Sequence, residues 1–384
     1  MRFTCGREAL AQALAPAFLA VSSKNTISAL EGFLISADAG EGTLEICGYD
    51  LEKGVKVTIS GDAVNVEEGG SFIVTASKFL QIVKNLGSDL VKVTCDANYL
   101  LKVSGGRSEF TLHAAGAEAF PVLPELGWEK TFGIAQKTLK ELITGVLFAV
   151  AQNNPRPTYN GALIEIAGGG VKAVGVDGFR LAMRRKETAV DMGGEDDGGA
   201  KFIVPGKSLS ELSKLLNDGG EPAQIEVSRK HVVVSMGNIV FFSRLIEGEY
   251  LDYGKVIPSD FRSFAYVQRS VAINSVERAS LLLDDRTKHI KLEFSPERDA
   301  LALSSATSLG EVHEECPIKM TGEPITIGFN SRYLLDALSA AGEEELLVRM
   351  ESPMKAAVIT SEKSGEAVEP EFLYLVLPVN PNIL

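Results

Sequence analysis

The hydrophobic and polar positions of the chain switch between two periods, and the same switch occurs three times. In each case a short apolar run, as expected for a buried strand, passes directly into apolar positions at helical spacing. The three stretches read FIVTASK at 72–78, FIVPGKS at 202–208 and ITIGFNS at 325–331. Val74 and Val204 are 130 residues apart, and Val204 and Phe329 are 125 residues apart. The pattern therefore predicts three copies of one unit in tandem.

Each copy is also predicted to begin with a strand and an amphipathic helix. The apolar positions of these first helices have the spacing of a one-sided helix, and they are Leu10, Leu14, Phe18 and Val21, then Leu139, Leu142, Ile143, Val146 and Val150, then Val271, Val276, Ala279 and Leu283. Between the two helices of a copy lie short alternating runs with turn signals, such as the hairpin signal Asp177-Gly178. Two helices and many antiparallel strands per copy indicate an α+β fold.

A recurring tripeptide suggests where the copies end. Two apolar residues followed by proline occur at 122–124, 256–258 and 376–378, at a spacing close to one third of the 384 residues. We therefore place three domains at 1–127, 128–256 and 257–384. The segment of glycine and acidic residues at 193–199 is expected to be a solvated loop inside the second domain rather than a linker.

The composition is that of an ordinary soluble globular protein. Hydrophobic residues make up 45% of the chain and charged residues 23%, which suits packed cores. The uncharged runs are too short for a bilayer, and the first residues lack the apolar stretch of a signal peptide, so we expect a cytoplasmic protein. The net charge of -13 predicts an average surface that repels nucleic acid. A basic concave face inside an acidic shell would escape that argument.

The sequence offers no convincing site for a catalyst, a metal or a cofactor. Its four cysteines and four histidines lack metal-ligand spacing, and the cysteines do not form the pattern of a disulfide framework. The turn at 206–208 reads Gly-Lys-Ser like part of a phosphate-binding loop, but Lys201 stands where its first glycine is needed. A dinucleotide-binding pattern at 168–173 fails at Ala173.

Several motifs together resemble a known family. They occur in order along the whole chain: MRFT at 1–4, GYDLE at 48–52, RPTYNG at 156–161 with DGFRLA at 177–182, SRLIEG at 243–248 with DY at 252–253, GFNSRYLLDAL at 328–338 and YLVLPV at 374–379. In this combination the chain is similar to the bacterial DNA polymerase III β subunits, the sliding clamps. Each motif is modest by itself, whereas the ordered set is specific.

The resemblance implies a non-catalytic processivity factor of a DNA-directed DNA polymerase. Three similar domains per chain, and two chains joined head to tail, would form a homodimeric ring that encircles duplex DNA regardless of sequence, with helices lining the hole. The positive charge near the DNA path would then come from Lys24, Lys78, Lys84, Arg156, Lys207 and Lys214. Without the resemblance, ordinary solvated helix faces would be the favoured reading for these lysines.

The resemblance also implies an apolar cleft between the second and third domains. There the replicative polymerase, the clamp loader and repair proteins would insert a short peptide. The predicted lining is Tyr159, Val176, Gly178, Phe179, Arg180, Leu181, Leu251, Lys255, Val256, Asn330, Tyr333, Met354, Ala356, Leu375, Val376, Leu377, Pro378 and Val379. Without the resemblance, core packing would be the favoured role for most of these. The chain departs from the family pattern at Tyr159, Phe179, Leu251 and Thr287, and its longer ending at 380–384 is a candidate to cover the cleft rim.

The subunit interface implied by the resemblance joins the third domain of one chain to the first domain of the other. It would use Phe110 and Leu112 on an edge strand and Leu281 and Leu282 near the end of the third domain's first helix. Two alternatives stay open. A phosphotransferase built on the turn at 206–208 would have to bind ATP. A three-domain scaffold that binds proteins but not DNA would share the fold and the cleft, and would differ in the charge inside the ring.

Overall fold

The structure of the chain is a computed structural model that describes residues 1–22, 26–124, 129–167, 169–188, 190–191, 199–219, 221–284, 288–361 and 370–380. This part contains six α-helices. In chain order, α1 to α6 are Arg7–Phe18, Ala76–Asn85, Gln136–Leu147, Gly206–Leu215, Arg269–Ala279 and Ser331–Ala340. Each predicted domain therefore contains two helices, as the sequence pattern indicated.

The described residues also form 26 strands. In the first predicted domain, β1 to β9 are Arg2–Gly6, Gly32–Asp38, Thr43–Tyr49, Lys53–Ile59, Val64–Glu68, Gly70–Thr75, Leu90–Cys95, Leu100–Gly105 and Ser108–His113. In the second, β10 to β17 are Lys130–Ile134, Gly161–Ala167, Gly170–Val176, Arg180–Glu187, Ala200–Pro205, Ala223–Val227, His231–Met236 and Ile239–Arg244. In the third, β18 to β26 are Ser263–Gln268, His289–Ser295, Ala300–Thr307, Gly310–Pro317, Lys319–Gly322, Ile325–Asn330, Glu345–Met350, Ala357–Ser361 and Phe372–Val376.

The chain divides into two compact units, and the second predicted domain contributes to both. The first unit comprises Met1–Lys137, Asp191–Asp196 and Glu211–Leu245. The second unit comprises Thr138–Val190, Asp197–Ser210 and Ile246–Leu384. Each unit thus holds one outer domain together with part of the second domain.

The first unit contains two antiparallel sheets. Five strands follow the order β5-β1-β7-β8-β9, and eight follow the order β10-β15-β16-β17-β4-β3-β2-β6. The eight-stranded sheet crosses from the first predicted domain to the second where β4 pairs with β17. We call this pairing, with the side chains packed on it, the first joint. Because hydrogen bonds run without interruption through it, the two domains share one sheet.

The second unit repeats this arrangement with different residues. Nine strands follow the order β14-β11-β12-β13-β26-β25-β24-β18-β22, and four follow the order β21-β20-β19-β23. The nine-stranded sheet passes from the second predicted domain to the third where β13 pairs with β26. We call this pairing, with the side chains packed on it, the second joint.

A turn of the same design precedes β4, β13 and β21. In each, the side-chain oxygen of the first turn residue accepts the backbone N–H two positions later, and the three donor and acceptor pairs are Glu52 to Asp50, Phe179 to Asp177 and Leu309 to Thr307. Asp and Thr side chains stabilise turns in this way. Lys53, Arg180 and Gly310 are therefore equivalent first residues of β4, β13 and β21.

A backbone hydrogen bond aligns the last strand of each domain in the same manner. After β9, β17 and β26 the chain returns to donate one N–H to the edge strand that leads into the second helix, and these bonds run from Ala115 to Ile73, from Ile246 to Ile203 and from Val379 to Gly328, each 2.9 Å long. Counting back three residues makes Leu112, Ser243 and Val376 equivalent. Ser243 pairs with Lys53 and Val376 with Arg180, so the two joints have the same register.

The helices are shorter than their apolar patterns predicted. Val21, Val150 and Leu283 were assigned to first helices, but α1, α3 and α5 end before them. At each end, backbone amides donate to carbonyls three residues back, including Leu19 to Pro16 and Ala149 to Val146, and such tight turns satisfy the last carbonyls of a helix. The buried positions nearer the start of each helix, such as Leu10 and Leu142, were predicted correctly.

The residues that directly precede the second helix of each domain differ in how they cap it. Asn330 caps α6 by accepting the N–H groups of Arg332 and Tyr333 at 3.0 and 3.4 Å, which satisfies two unpaired donors of the first turn. Thr75 precedes α2 without a side-chain cap. Pro205 ends β14 and lies before α4 rather than in its first turn. The acidic segment falls almost entirely outside the described residues.

Candidate functional site

An apolar cluster lies on one face of the second joint. Its buried members come from both domains that meet there: Leu163, Val174, Val176, Leu181, Met183 and Ile203 from the second, and Ala356, Val358, Leu373 and Leu375 from the third. Leu181 on β13 is paired directly with Leu375 on β26, and opposed apolar residues of this kind stabilise neighbouring strands. This cluster forms the floor of the candidate cleft.

Partly buried side chains surround that floor. They are Tyr159, Ile246, Tyr250, Leu251, Tyr253, Ile257 and Phe261, and all except Tyr159 lie on the segment that follows β17. The Tyr250 hydroxyl donates to the carbonyl oxygen of Val174 at 3.0 Å, and burial raises the pKa of Tyr250 well above its usual range. The linker between the second and third domains is thus a wall of the cleft.

A carboxylate fixes the middle of that wall. Glu165 on β11 accepts the Tyr253 hydroxyl at 2.8 Å and pairs with Lys201 on β14 at 2.9 Å. Burial alone acts to raise the pKa of Glu165, but the hydrogen bonds from Lys201 and Tyr253 and the nearby charge of Lys172 outweigh it, so the pKa is lowered. The carboxylate is therefore ionised at neutral pH and holds the 3-10 turn Tyr253–Lys255 against the sheet.

Arg180 connects the second joint to the last helix. Its Nε lies 3.0 Å from Asp177 Oδ2 in the preceding turn, and its Nη1 lies 2.6 Å from Asp336 Oδ2 on α6. The guanidinium also lies over the ring of Tyr333, 4.4 Å from the centroid, a favourable position for a cation. Phe179 stacks on the same Tyr333 ring, with centroids 6.0 Å apart. The end of the cleft near α6 is consequently held by charge and ring stacking.

Exposed apolar side chains concentrate at the predicted sites. Twelve large hydrophobic residues are exposed in the described part of the chain, and exposed apolar residues that cluster mark interaction surfaces. Six of the twelve were predicted site residues: Phe179, Val256, Met354 and Leu377 for the cleft, and Phe110 and Leu281 for the subunit interface. Met354 is 63% exposed and Phe179 is 59% exposed, so neither is explained by core packing.

The structure brings many of the predicted cleft residues together. Tyr159, Val176, Leu181, Leu251, Ala356 and Leu375 share the apolar cluster, and Gly178, Phe179, Arg180, Asn330 and Tyr333 lie at the turn before β13 and the start of α6. Leu377 donates its N–H to the carbonyl oxygen of Phe179 at 2.9 Å. This bond brings Val376, Pro378 and Val379 to the end of the cleft near α6. Lys255 is exposed and pairs with Asp252 at 2.8 Å. Thr287 and residues 381–384 lie outside the described residues.

Sequence reasoning missed part of the cleft wall. Tyr250, Tyr253, Ile257 and Phe261 were not predicted to belong to the site, although they pack on its floor. Asp336, the partner of Arg180 on α6, was missed as well. The aromatic residues Tyr250, Tyr253 and Phe261, spaced along the linker, were the available signal, since large apolar side chains are usually covered in the folded chain.

The predicted DNA-binding residues occupy exposed positions. Lys78 and Lys84 lie on the exposed face of α2, and Lys207 and Lys214 lie on α4. Lys214 pairs with Glu211 one turn earlier at 2.9 Å, which offsets part of its charge. Lys24 lies outside the described residues.

Two arginines modify the predicted set of cations. Arg156 donates to the Tyr159 hydroxyl at 3.0 Å, and its guanidinium lies 5.4 Å from the centre of that ring, so this side chain lies beside the cleft wall. Arg332 was not predicted, yet it is the second residue of α6 as Lys207 is of α4. The 125-residue spacing that separates Val204 from Phe329 also separates Lys207 from Arg332. The repeat spacing could therefore have identified Arg332 as the counterpart of Lys207 from the sequence.

The predicted interface residues lie on an edge strand of the first unit and just after a helix of the second unit. Phe110 and Leu112 belong to β9, which is an edge strand of the five-stranded sheet. Leu281 and Leu282 follow Ser280, the C-cap residue of α5, and Leu281 is 77% exposed. In the third domain, β21 is likewise an edge strand of the four-stranded sheet.

The described residues contain neither a metal-binding cluster nor a membrane-spanning helix. Groups of three or more His, Cys, Asp or Glu side chains arranged to hold a metal ion do not occur among them. Among the described helices, none has the length and apolar character needed to cross a membrane.

Comparison with known proteins identifies the family. Models of the N-terminal, central and C-terminal domains of the DNA polymerase III beta subunit match residues 1–124, 133–252 and 254–379. This chain belongs to the DNA polymerase III beta subunit family. The beta sliding clamp of Bacillus subtilis strain 168 is 30% identical over 387 residues, with 99% of each chain covered.

Solved structures of the family agree with the fold described above. The crystal structure of the sliding clamp from Bacillus subtilis has a TM-score of 0.92 at 29% identity and 99% coverage of both chains. The DNA polymerase III subunit beta from Pseudomonas aeruginosa has a TM-score of 0.89 at 29% identity, with coverage of 99% of this chain and 100% of that chain. The expected three-domain clamp fold with mixed helix and sheet is confirmed, as is the assignment to a non-catalytic clamp of DNA replication. The phosphotransferase alternative is therefore dropped.

Proposed function

We propose that two copies of this chain close into a ring around duplex DNA and tether the replicative polymerase to it. Membership in the sliding clamp family supports this function. The observation that carries the ring is the presence of two open strand edges, β9 and β21. At the first and second joints the equivalent strands pair with each other, and unpaired edges invite pairing with another chain. A head-to-tail contact between β21 of one chain and β9 of the other would supply a third joint of the same design.

The register shared by the first and second joints predicts the register of the third. In the first joint Val240 pairs with Lys56, and in the second joint Leu373 pairs with Met183. The matching positions on the open edges are Glu109 on β9 and His313 on β21. We propose that these two residues face each other across the subunit interface, with Phe110, Leu112, Leu281 and Leu282 close by.

Cysteine cross-linking tests this register. Replacing Glu109→Cys and His313→Cys in one chain should give a covalent dimer under mild oxidation, because paired strand residues come within the Cα distance of about 4.4 to 6.8 Å that a disulfide needs. The matched control carries Glu109→Cys with Glu315→Cys, which shifts one partner by two residues on the same exposed face. Efficient cross-linking of the shifted pair would contradict the proposed interface. The absence of cross-linking in both variants would contradict it as well.

The DNA path follows from the exposed cations. We propose that Lys24, Lys78, Lys84, Lys207 and Lys214 face the hole, together with the newly recognised Arg332, whereas the position of Arg156 beside Tyr159 favours a place at the cleft. Loose contacts to phosphate give weak, salt-sensitive affinity that does not depend on sequence. Retention on DNA would then depend on the closed ring rather than on contact energy.

Retention before and after linearisation tests this mechanism. A labelled clamp loaded onto circular duplex DNA should survive salt that strips it from short linear duplex, since release from a circle requires opening of a protein interface. Cutting the circle should then release it rapidly. Equal retention on both forms would mean ordinary contact binding, and the scaffold alternative would be revived if neither form were retained.

We further propose that the cleft at the second joint receives a short apolar peptide of the polymerase, the clamp loader and repair proteins. The support is the exposure of four predicted cleft residues beside a continuous apolar floor, because apolar side chains in concave pockets supply most of the energy of such contacts. Replication partners of this kind act in the cytoplasm of bacteria, so we propose the same location for this chain.

A further inference from the structure

The two joints match residue by residue, so their side chains can be compared directly. On the face that carries the cleft floor, the second joint has Val176, Leu181 and Leu375 in one row across β12, β13 and β26. The matching row of the first joint, across β3, β4 and β17, is Tyr49, Gly54 and Phe242. The first joint therefore has aromatic rings, Tyr49 and Phe242, where the second joint has Val176 and Leu375. It has a glycine where the second joint has Leu181.

The glycine in this row is required by the ring beside it. A Cβ atom added to Gly54 would lie 2.1 Å from the tip of the Phe242 ring, a distance that real atoms cannot share. Phe242 thus lies directly across Gly54 and occupies the space of the missing side chain. The Tyr49 ring packs next to it, with centroids 5.6 Å apart.

A third aromatic residue arrives from the linker. Phe120 lies five residues after Ala115, which is the place that Leu251 holds after Ile246. Its ring centroid is 6.4 Å from that of Tyr49, and Phe120 belongs to the same apolar cluster as Tyr49 and Phe242. Leu251 is a partly buried wall residue of the cleft, whereas Phe120 is 7% exposed. The matching linker position is therefore buried in the first joint and partly exposed in the second.

We infer that the first joint is a closed counterpart of the partner cleft, in which Tyr49, Phe120 and Phe242 fill the volume that a partner's apolar side chains take at the second joint. These three residues, called the aromatic plug, determine that the chain accepts peptide at one joint and not at both. Large rings bury more apolar area than the residues they replace, so the plug also binds the first and second domains to each other. This inference rests on the proposed peptide function of the second joint.

Opening the first joint tests the plug without any partner peptide. In the variant Tyr49→Val with Phe242→Leu, the two rings are replaced by the residues of the second joint while Gly54 is kept, which leaves an apolar cavity. Such cavities bind benzene. Benzene should slow hydrogen exchange of the β4 and β17 amides in this variant and leave the unmodified chain unchanged. A folded variant with no response to benzene would overturn the inference.

A second opened variant covers the case in which the first fails to fold. Phe120→Ala changes the linker alone and leaves every strand residue in place, so β4 and β17 can still pair. Benzene should again slow exchange at the first joint, and a folded Phe120→Ala chain without this response would count against the plug.

Closing the second joint is the reciprocal experiment. The variant Val176→Tyr, Leu181→Gly and Leu375→Phe places the residue types of the first-joint row in the cleft. It should lower the affinity for a fluorescent peptide that contains Leu and an aromatic residue at least tenfold. Undiminished affinity in the folded variant would overturn the inference. If the unmodified chain fails to bind the peptide at all, the proposed partner function falls, while the benzene experiment still decides the plug.

Discussion

The two joints solve the same packing problem with opposite chemistry. At the first residue of the joining strand, the first joint has Lys53, which pairs with Asp50 of its own turn. The second joint has Arg180, which pairs with Asp177 of its own turn and also reaches Asp336 on the helix of the next domain. A planar guanidinium can bind two carboxylates at once, whereas an ammonium group acts as a single point of charge. The ion pair between Arg180 and Asp336 therefore connects two domains, and among the described residues Lys53 forms no matching pair with another domain.

On the opposite face of the joining sheets, the first joint is again apolar where the second joint has polar side chains. Val57 and Phe241 of the first joint are fully buried apolar residues. Their counterparts are Arg184 and Tyr374: Arg184 Nη1 donates to the carbonyl of Ala340 at 3.2 Å, and the Tyr374 hydroxyl donates to the same carbonyl at 3.1 Å. Arg184 Nε has no hydrogen-bond partner among the described residues.

The proposed plug and the proposed cleft go together with different connections between the domains. At the first joint the rings of Tyr49, Phe120 and Phe242 pack on one another. At the second joint, charged and polar side chains connect the domains at the edges, beside exposed apolar residues such as Phe179 and Leu377. The cost is a dependence on a few specific polar contacts, which single substitutions can remove.

The largest expected effect comes from Arg180. Arg180→Met leaves two carboxylates without their partner in a partly buried setting, and we expect a loss of about 2 to 3 kcal/mol in the free energy of unfolding of the second unit. Lys53→Met is the matched control at the first joint and should cost less than Arg180→Met, since it leaves one carboxylate, Asp50, without its partner rather than two. Urea denaturation with hydrogen exchange at β26 and β17 separates the two units. Equal losses would contradict the role assigned to the bridge to Asp336.

A smaller effect is expected from the exposed rim of the cleft. Leu377→Ala should weaken binding of a labelled partner peptide by about 1 to 3 kcal/mol, because contact residues that are solvent-exposed in the free protein lose area on binding. The same substitution should change the free energy of unfolding only slightly, because the Leu377 side chain is exposed in the free protein. Val122→Ala, an exposed apolar residue of the first linker, serves as the control and should leave fluorescence anisotropy titrations unchanged. Equal weakening by both variants would argue against a cleft at the second joint.

The smallest effect is a pH dependence at Glu165. The pKa of Glu165 is lowered in the fold, so its contribution to stability is present above its ordinary pKa near 4.5 and is lost as the pH falls toward the lowered value. The melting temperature of Glu165→Gln should therefore be below that of the unmodified chain at pH 7, and the difference should shrink at pH 3.5. Phe120→Leu perturbs the first linker through apolar contacts, and its difference should stay constant between these pH values. A constant difference for Glu165→Gln would refute the assigned role.

The repeat could be read from the sequence because it depends on local patterns. A buried strand passing into a one-sided helix requires particular residue types at fixed spacing, and Val74, Val204 and Phe329 all end up buried before a helix. The closing tripeptide was a less reliable guide. Val122 and Val256 lie on linkers, whereas Val376 ends β26. Three residues carry too little information to separate a linker from a strand.

The site was predictable in its position and less so in its construction. The apolar cleft residues within 176–181 and 375–379 were identified through the resemblance, since the sequence alone favours core packing for them. Tyr253 and Asp336 were missed because each acts on a residue 88 or more positions away. Contacts of this kind arise from strand order, which hydrophobic periodicity does not specify. The aromatic plug likewise becomes visible when the two joints are compared in register.

The open edges β9 and β21 have a further consequence for assembly. Because they belong to different domains and differ in residue content, the proposed contact is directional, and directional contacts end in a closed figure when the rotation per subunit suits a small whole number. In the proposed assembly, the angles at the first and second joints set that rotation. A substitution that bends either joint would leave both edges intact and would convert the proposed two-subunit ring into a growing fibre. Solubility would then depend on the stiffness of the two joining sheets as well as on the surfaces that meet.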